Sequence, residues 1–164
     1  MSKLTSRFAG QQFFKLLGYG YQYHSQVIVP DNRKTRPGFL DGRPGTRAPH
    51  AWVEYQGQRI STLDLFGTSF VLLAGSEGTA WCEAARATAA RQNIDLVAYS
   101  AGPKGDLRDP ESRWQAKAGI SANGALLVRP DGFVAWRASE QAGNLQQKLE
   151  QVLKRALGQV PAGA

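Results

Sequence analysis

From residue 49 onward, apolar and polar positions alternate in short blocks whose spacing names their structure. Residues 51–55 and 59–62 flank Gln56-Gly57-Gln58, the pattern of a hairpin. Residues 62–66 read as a helical turn closed by Gly67. Phe70-Val71-Leu72-Leu73-Ala74 is apolar without a break, which means burial on both faces, as in a central parallel strand. Gly75-Ser76-Glu77-Gly78 makes a turn, and Thr79 is the expected N-cap of an Ala-rich helix over 80–91. A second buried strand is expected over 94–99, a polar loop over 103–110, and a short helix over 111–118 ended by Gly119. Ala125-Leu126-Leu127-Val128-Arg129 forms a third strand, and Pro130-Asp131-Gly132 turns it back into residues 133–137, because Pro fixes φ and Gly accepts positive φ. Leu145, Leu149, Val152, Leu153 and Ala156 share one face of a last helix over 144–157.

The order from residue 70 is β-α-β-α-β-β-α. That is the core of the thioredoxin fold: an α/β domain with a mixed central sheet and helices on both faces. Residues 1–48 differ in character. A short helix over 7–17 and a strand over 21–29 are expected there, followed by a long arm rich in Pro, Gly and Arg. The organisation read from this shift is an N-terminal helix, strand and arm over 1–48 and a thioredoxin-like domain over 49–160. Residues 8–29 carry Phe and Tyr that the core pattern does not absorb, as an apolar patch meant for a neighbour would.

Composition narrows the chemistry. Mean hydropathy is −0.37 and no ~18-residue apolar run is present, so no membrane span is expected. Met1-Ser2-Lys3-Leu4 leads into no apolar signal core, so a cytoplasmic protein without a targeting peptide is expected. With one Cys and two His in 164 residues, neither an intrachain disulfide nor a Cys-rich zinc site can be built, and no metal is expected. The net charge of +7 favours an anionic partner. Its concentration at Arg33, Lys34, Arg36, Arg43 and Arg47 leaves a basic binding module open as one reading of the arm. Phe39 is the one aromatic residue among those bases, which is not the repeated interleaving of single-strand binders, so nucleic acid is not expected.

A thioredoxin fold places its thiol at the start of the first core helix, where the helix dipole favours thiolate. Trp81-Cys82 stands near that place and looks like the opening of Trp-Cys-Gly-Pro-Cys, but the second Cys position is Ala85. Disulfide exchange needs a resolving thiol. Gly119-Ile120-Ser121-Ala122-Asn123-Gly124 leads into the third core strand, and Gly124 stands where thioredoxins carry Pro. Glu83 disfavours thiolate further. Cys82 therefore reads first as a small buried hydrophobe, with a one-Cys thiol enzyme, peroxidase- or glutaredoxin-like, as the competing function. Trp81, Trp114 and Trp136 read as core or interface anchors. Ser61, Asp64 and His50 have the residue types of a triad, but triads are defined by geometry and no spacing joins them.

Several stretches resemble the class A flavoprotein aromatic hydroxylases, which include phenol, chlorophenol and polyketide hydroxylases. Pro44-Gly45-Thr46-Arg47-Ala48-Pro49-His50-Ala51-Trp52 is similar to their Pro-Gly-x-Arg-Ala-Pro-His-x-Trp segment. Ser61 to Gly67 with Phe70 to Leu73, Leu127 to Arg137, and Leu17-Gly18-Tyr19-Gly20-Tyr21 resemble further segments in the family's order. The resemblance implies a C-terminal thioredoxin-like domain without redox cysteines, which follows a flavin-binding part that uses FAD and NAD(P)H to hydroxylate aromatic rings. No Gly-x-Gly-x-x-Gly follows a strand in this sequence, so no catalytic or cofactor-binding residue is carried over and the chain itself is expected to bind no cofactor. A docking surface around Arg47, Pro49, His50 and Trp52 is implied instead. The flavin-binding domain of the same or a companion polypeptide is the expected partner, together with a second copy in a homodimer.

Overall fold

Seven strands form one mixed sheet in a computed structural model that describes residues 25, 27–31 and 41–159. In chain order the elements are β1 (Trp52–Tyr55), β2 (Gln58–Ser61), a 3-10 turn (Thr62–Leu65), β3 (Phe70–Ala74), α1 (Thr79–Gln92), β4 (Leu96–Gly102) and β5 (Leu107–Arg108). They continue with α2 (Arg113–Ala118), β6 (Ala125–Val128), β7 (Val134–Ala138) and α3 (Leu145–Ala156). The strand order is β2-β1-β5-β4-β3-β6-β7. β3 runs parallel to β4 and antiparallel to β6, which pairs antiparallel with β7. From β3 the order is β-α-β-β-α-β-β-α, the β-α-β-α-β-β-α arrangement that the hydrophobic pattern predicts with the short β5 added between β4 and α2.

The continuous apolar runs sit where burial on both faces requires them. Leu72, Leu73, Leu126 and Leu127 are fully buried. On one face Leu72, Ala74, Leu96, Ala98, Ala125 and Leu127 meet Trp81, Cys82 and Ala85 of α1 and Leu149, Val152, Leu153 and Ala156 of α3. On the other face Val53, Val71, Leu73, Leu107, Leu126 and Val128 meet Trp114 and Ala118 of α2, with Ala48 and Ala51. The tryptophans at 81, 114 and 136 are all core residues, exposed by 4 % or less.

Local differences from the sequence reading have physical causes. The N-cap of α1 is Gly78, without a side-chain cap, and Thr79 is already helical; an added Cβ at Gly78 would sit 2.6 Å from Ala74 Cβ, so only glycine lets the helix start this close to β3. The second core strand starts at Leu96 rather than 94 and continues to Gly102, because its last residues pair with β5. β5 itself lies inside the stretch expected to be a loop. Val27 to Val29 turn rather than extend; the rest of the expected strand, and the expected helix over 7–17, lie outside the described residues.

The chain that enters the domain covers the outer edge of β7. Val29 N donates to Ala135 O (2.9 Å), Gly45 N to Val134 O (2.8 Å), Val134 N to Thr46 O (2.9 Å) and Ala48 N to Gly132 O (2.9 Å). An edge strand left bare invites pairing with another chain, and these bonds cover the first residues of β7 and the turn before it. Arg137, with a side chain 1 % exposed, holds the entering chain in place. Its guanidinium pairs with the Asp31 carboxylate (Nε donates at 2.6 Å), and Nη1 donates to Asp41 O at 2.7 Å and to Ala118 O at 3.2 Å.

Candidate functional site

The position of a thioredoxin-type centre is packed shut. Cys82 lies in the fourth helical position of α1 and is 2 % exposed. Burial pushes its thiol up from 9.0 to about 11; Arg86 opposes this, and Asp106 and Glu83 add to it. The thiolate is the nucleophile in thiol chemistry, and a pKa near 11 leaves about one molecule in ten thousand ionised at pH 7. Ala85, where the resolving thiol would stand, is fully buried. Trp81 donates from Nε1 to Asn123 O (3.0 Å) and meets Trp136 edge-on, with ring centroids 5.3 Å apart.

The loop before β6 closes the rest of this position. Gly75 N donates to Gly124 O (2.9 Å) and Glu77 N to Ala122 O (2.8 Å), while Ser76 N donates to Gln115 Oε1 (3.2 Å). A Cβ at Gly124 would lie 2.6 Å from Ser139 O, 2.7 Å from Ala138 O and 2.8 Å from Ile120 Cβ. The first two are backbone atoms of the end of β7, so proline cannot occupy this position without moving the strand. The backbone N–H groups at 75, 76 and 77 that a phosphate-cradling turn would offer are already satisfied within the protein. The glycine-rich turn before α1 therefore does not fit the pyrophosphate of FAD.

The structure separates the predicted interface residues. Pro49 is buried, and its carbonyl accepts from Thr62 Oγ1 (3.1 Å). Arg47 is exposed, with its guanidinium 5.0 Å from the ring centroid of Phe133 beside the β6–β7 turn. His50 and Trp52 stay together, their ring centroids 5.2 Å apart and edge-to-face. Lys117 Nζ donates to His50 O (2.9 Å), so α2 fixes the backbone at the entrance to β1. Trp52 is 56 % exposed, and Arg59 stacks over its ring at 4.8 Å.

Of the imagined triad, Ser61 and Asp64 form a capping box. Ser61 Oγ accepts from Leu63 N (3.1 Å) and Asp64 accepts from Ser61 N (2.9 Å). Their sequence signal was that of a helix cap. Among the described residues no group of three or more His, Cys, Asp or Glu is placed to hold a metal, and no helix is long and apolar enough to cross a membrane. Arg33, Lys34 and Arg36 of the basic arm lie outside the described residues; Arg43 pairs with Asp41 (2.8 Å).

Sequence reasoning missed the residues around Trp52. Arg59 and Arg108 both pair in register with Glu54 across β2-β1-β5, and Arg108 approaches the Glu54 carboxylate at 3.7 Å. Only the two-residue strand β5 brings Arg108 to this face. Arg137 entered the sequence analysis only as the last residue of the strand over 133–137, with no sign of the partners it holds at Asp31, Asp41 and Ala118.

Comparison with known proteins gives this geometry its context. Residues 41–160 match the family described as "Aromatic-ring hydroxylase, C-terminal". The chain is 44% identical over 144 residues to aklavinone 12-hydroxylase RdmE of Streptomyces purpurascens, covering 87% of this chain and 26% of that protein. It is 40% identical over 156 residues to tetracenomycin A2 monooxygenase-dioxygenase of Streptomyces glaucescens, covering 90% of this chain and 28% of that protein. Among solved structures, aklavinone-11 hydroxylase in a ternary complex with FAD and aklavinone superposes with a TM-score of 0.77 at 43% identity, over 85% of this chain and 26% of that one. The flavin-dependent monooxygenase PieE, in complex with FAD and substrate, gives 0.76 at 34% identity, over 95% and 28%. The chain thus spans about a quarter of the length of the relatives it matches. It belongs to the family of aromatic-ring hydroxylase C-terminal domains.

Proposed function

We propose that this chain is the non-catalytic C-terminal domain of an FAD- and NAD(P)H-dependent aromatic-ring monooxygenase, working in the cytoplasm. It gives structural support, docks on the flavin-binding part of the same or a companion polypeptide, and contributes to homodimer contacts. FAD and the nicotinamide belong to that other part. The family match and the FAD-bound relatives support the context. The observation that carries the non-catalytic role is the closed thiol position: a buried Cys82 with its thiol raised to about 11, no partner sulfur at Ala85, and Gly124 pressed against β7. A domain in this state works through its surfaces.

The purified chain should show no flavin absorbance band. It should not accelerate insulin disulfide reduction by dithiothreitol or consume hydrogen peroxide above the buffer rate. Turnover in either assay that disappears in Cys82→Ala would replace this reading with that of a one-Cys thiol enzyme.

A further inference from the structure

Among the described residues, the β2-β1-β5 end of the sheet is covered on one face only. Val53 and Leu107 point into the core beneath α2. Strand alternation then turns Trp52, Glu54 and Arg108 to the opposite face, the face that α1 and α3 cover farther along the sheet. Those helices pack over β3, β4, β6 and β7, and at this end no described element covers the face, where Trp52 is 56 % exposed. Trp52 is the most exposed of the large apolar side chains among the described residues. A shallow groove of roughly 320 Å³ runs beside it, lined by Trp52, Glu54, Gly57, Arg59, Arg108 and Pro110.

We propose that this platform is the docking face for the flavin-binding part of the same polypeptide. The occupant lays an apolar ridge against Trp52 and presents carboxylates to Arg59 and Arg108. The assignment rests on the function proposed above and names the partner's chemistry. Three observations select this occupant. An exposed Trp with Arg59 stacked over its ring is the composition of an interface anchor. Two arginines face one glutamate here, so an acidic surface is complementary. A second copy in an isologous contact would bring the same basic patches toward each other, in a chain whose net charge is already +7. Finally, the relatives carry about three quarters of their length outside the matched part, which the family description places at the C-terminus. The chain entering this domain runs through residues 41–51 directly into β1, so the platform begins at the junction.

The test is hydroxyl-radical footprinting of Trp52 in two proteins. One is the isolated chain; the other is full-length RdmE with its matched C-terminal portion replaced by this chain. Trp81, Trp114 and Trp136 are buried and serve as internal controls. The expected result is an FAD-loaded, active chimera in which Trp52 oxidises several-fold more slowly than in the isolated chain. A paired Arg59→Glu and Arg108→Glu substitution should restore its oxidation. An active chimera with Trp52 as reactive as in the isolated chain overturns the platform and leaves the proposed function standing. A chimera that folds without FAD or activity overturns both. Sedimentation of the isolated chain as a dimer with Trp52 already protected assigns the face to a second copy and overturns the proposal.

Discussion

Replacing Arg137 with Met removes the residue that ties three separate stretches of chain together. The guanidinium holds the Asp31 carboxylate, the Asp41 carbonyl and the Ala118 carbonyl at the end of α2. Its side chain is 1 % exposed and that of Asp31 18 %. Breaking a buried pair from one side costs about 3–5 kcal/mol, because the other charge is left uncompensated. Asp31 retains some access to water, so the lower end applies, at about 3 kcal/mol. For a domain of this size that is a fall in Tm of roughly 10 °C. Asp31→Ala should cost nearly as much, since it strands a guanidinium inside the protein. The double variant should then cost little more than Arg137→Met alone, a coupling of about 2 kcal/mol. Thermal and urea unfolding followed by circular dichroism measure all four proteins. Hydrogen exchange at Val29, whose N–H bonds Ala135 O, reports whether the entering chain lifts off β7. A loss below about 1 kcal/mol in Arg137→Met, or strictly additive single effects, would refute the reasoning.

Gly124→Ala should lower stability by about 2 kcal/mol, as overpacking against a fixed backbone does, and urea midpoints at constant m-value would register it; an unchanged midpoint contradicts the tight approach to Ser139 O and Ala138 O. Thr88 is fully buried in α1 with no hydrogen-bond partner for its Oγ1 among the described residues, so Thr88→Val should raise stability by about 1 kcal/mol, because it removes an unpaired hydroxyl from the core. The raised thiol of Cys82 also sets a pH dependence. Below pH 9 folded and unfolded chains both hold the proton. Between pH 9 and about 11 the unfolded chain releases it and the folded chain keeps it, so stability falls as pH rises through that window. The difference between wild-type and Cys82→Ala urea curves across pH 8–11 isolates this contribution, and parallel curves would contradict it.

The core was legible in the sequence because two-sided burial leaves unbroken apolar runs, as in Phe70 to Ala74 and Ala125 to Val128. The departure from a dithiol motif was legible for a similarly local reason: the residues at 85 and 124 are Ala and Gly, where that motif carries Cys and Pro. The proposed interface was not legible in this way. Arg47, Pro49, His50 and Trp52 lie close in sequence, but the chain turns Pro49 inward and Arg47 toward Phe133, so only His50 and Trp52 remain together. Arg108 joins them through a strand of two residues inside a polar stretch, too short to show a period. Arg137 carries no local signal either, since its partners are 96 and 106 residues away. Asp109 is similar: a carboxylate in an apparent loop, it is 3 % exposed and accepts from Trp114 N at 2.8 Å to start α2. Period and propensity report on neighbours along the chain, and these contacts are between strangers.

Cys82, at the place where a thiol centre would stand, is part of the core. Because Cys82 is the chain's one cysteine, thiolate absorbance at 240 nm followed against pH in the folded protein, with Cys82→Ala as the blank, reads it without interference from another thiol. The expected midpoint is near 11. A midpoint at or below the ~8.5 of a free thiol would contradict it.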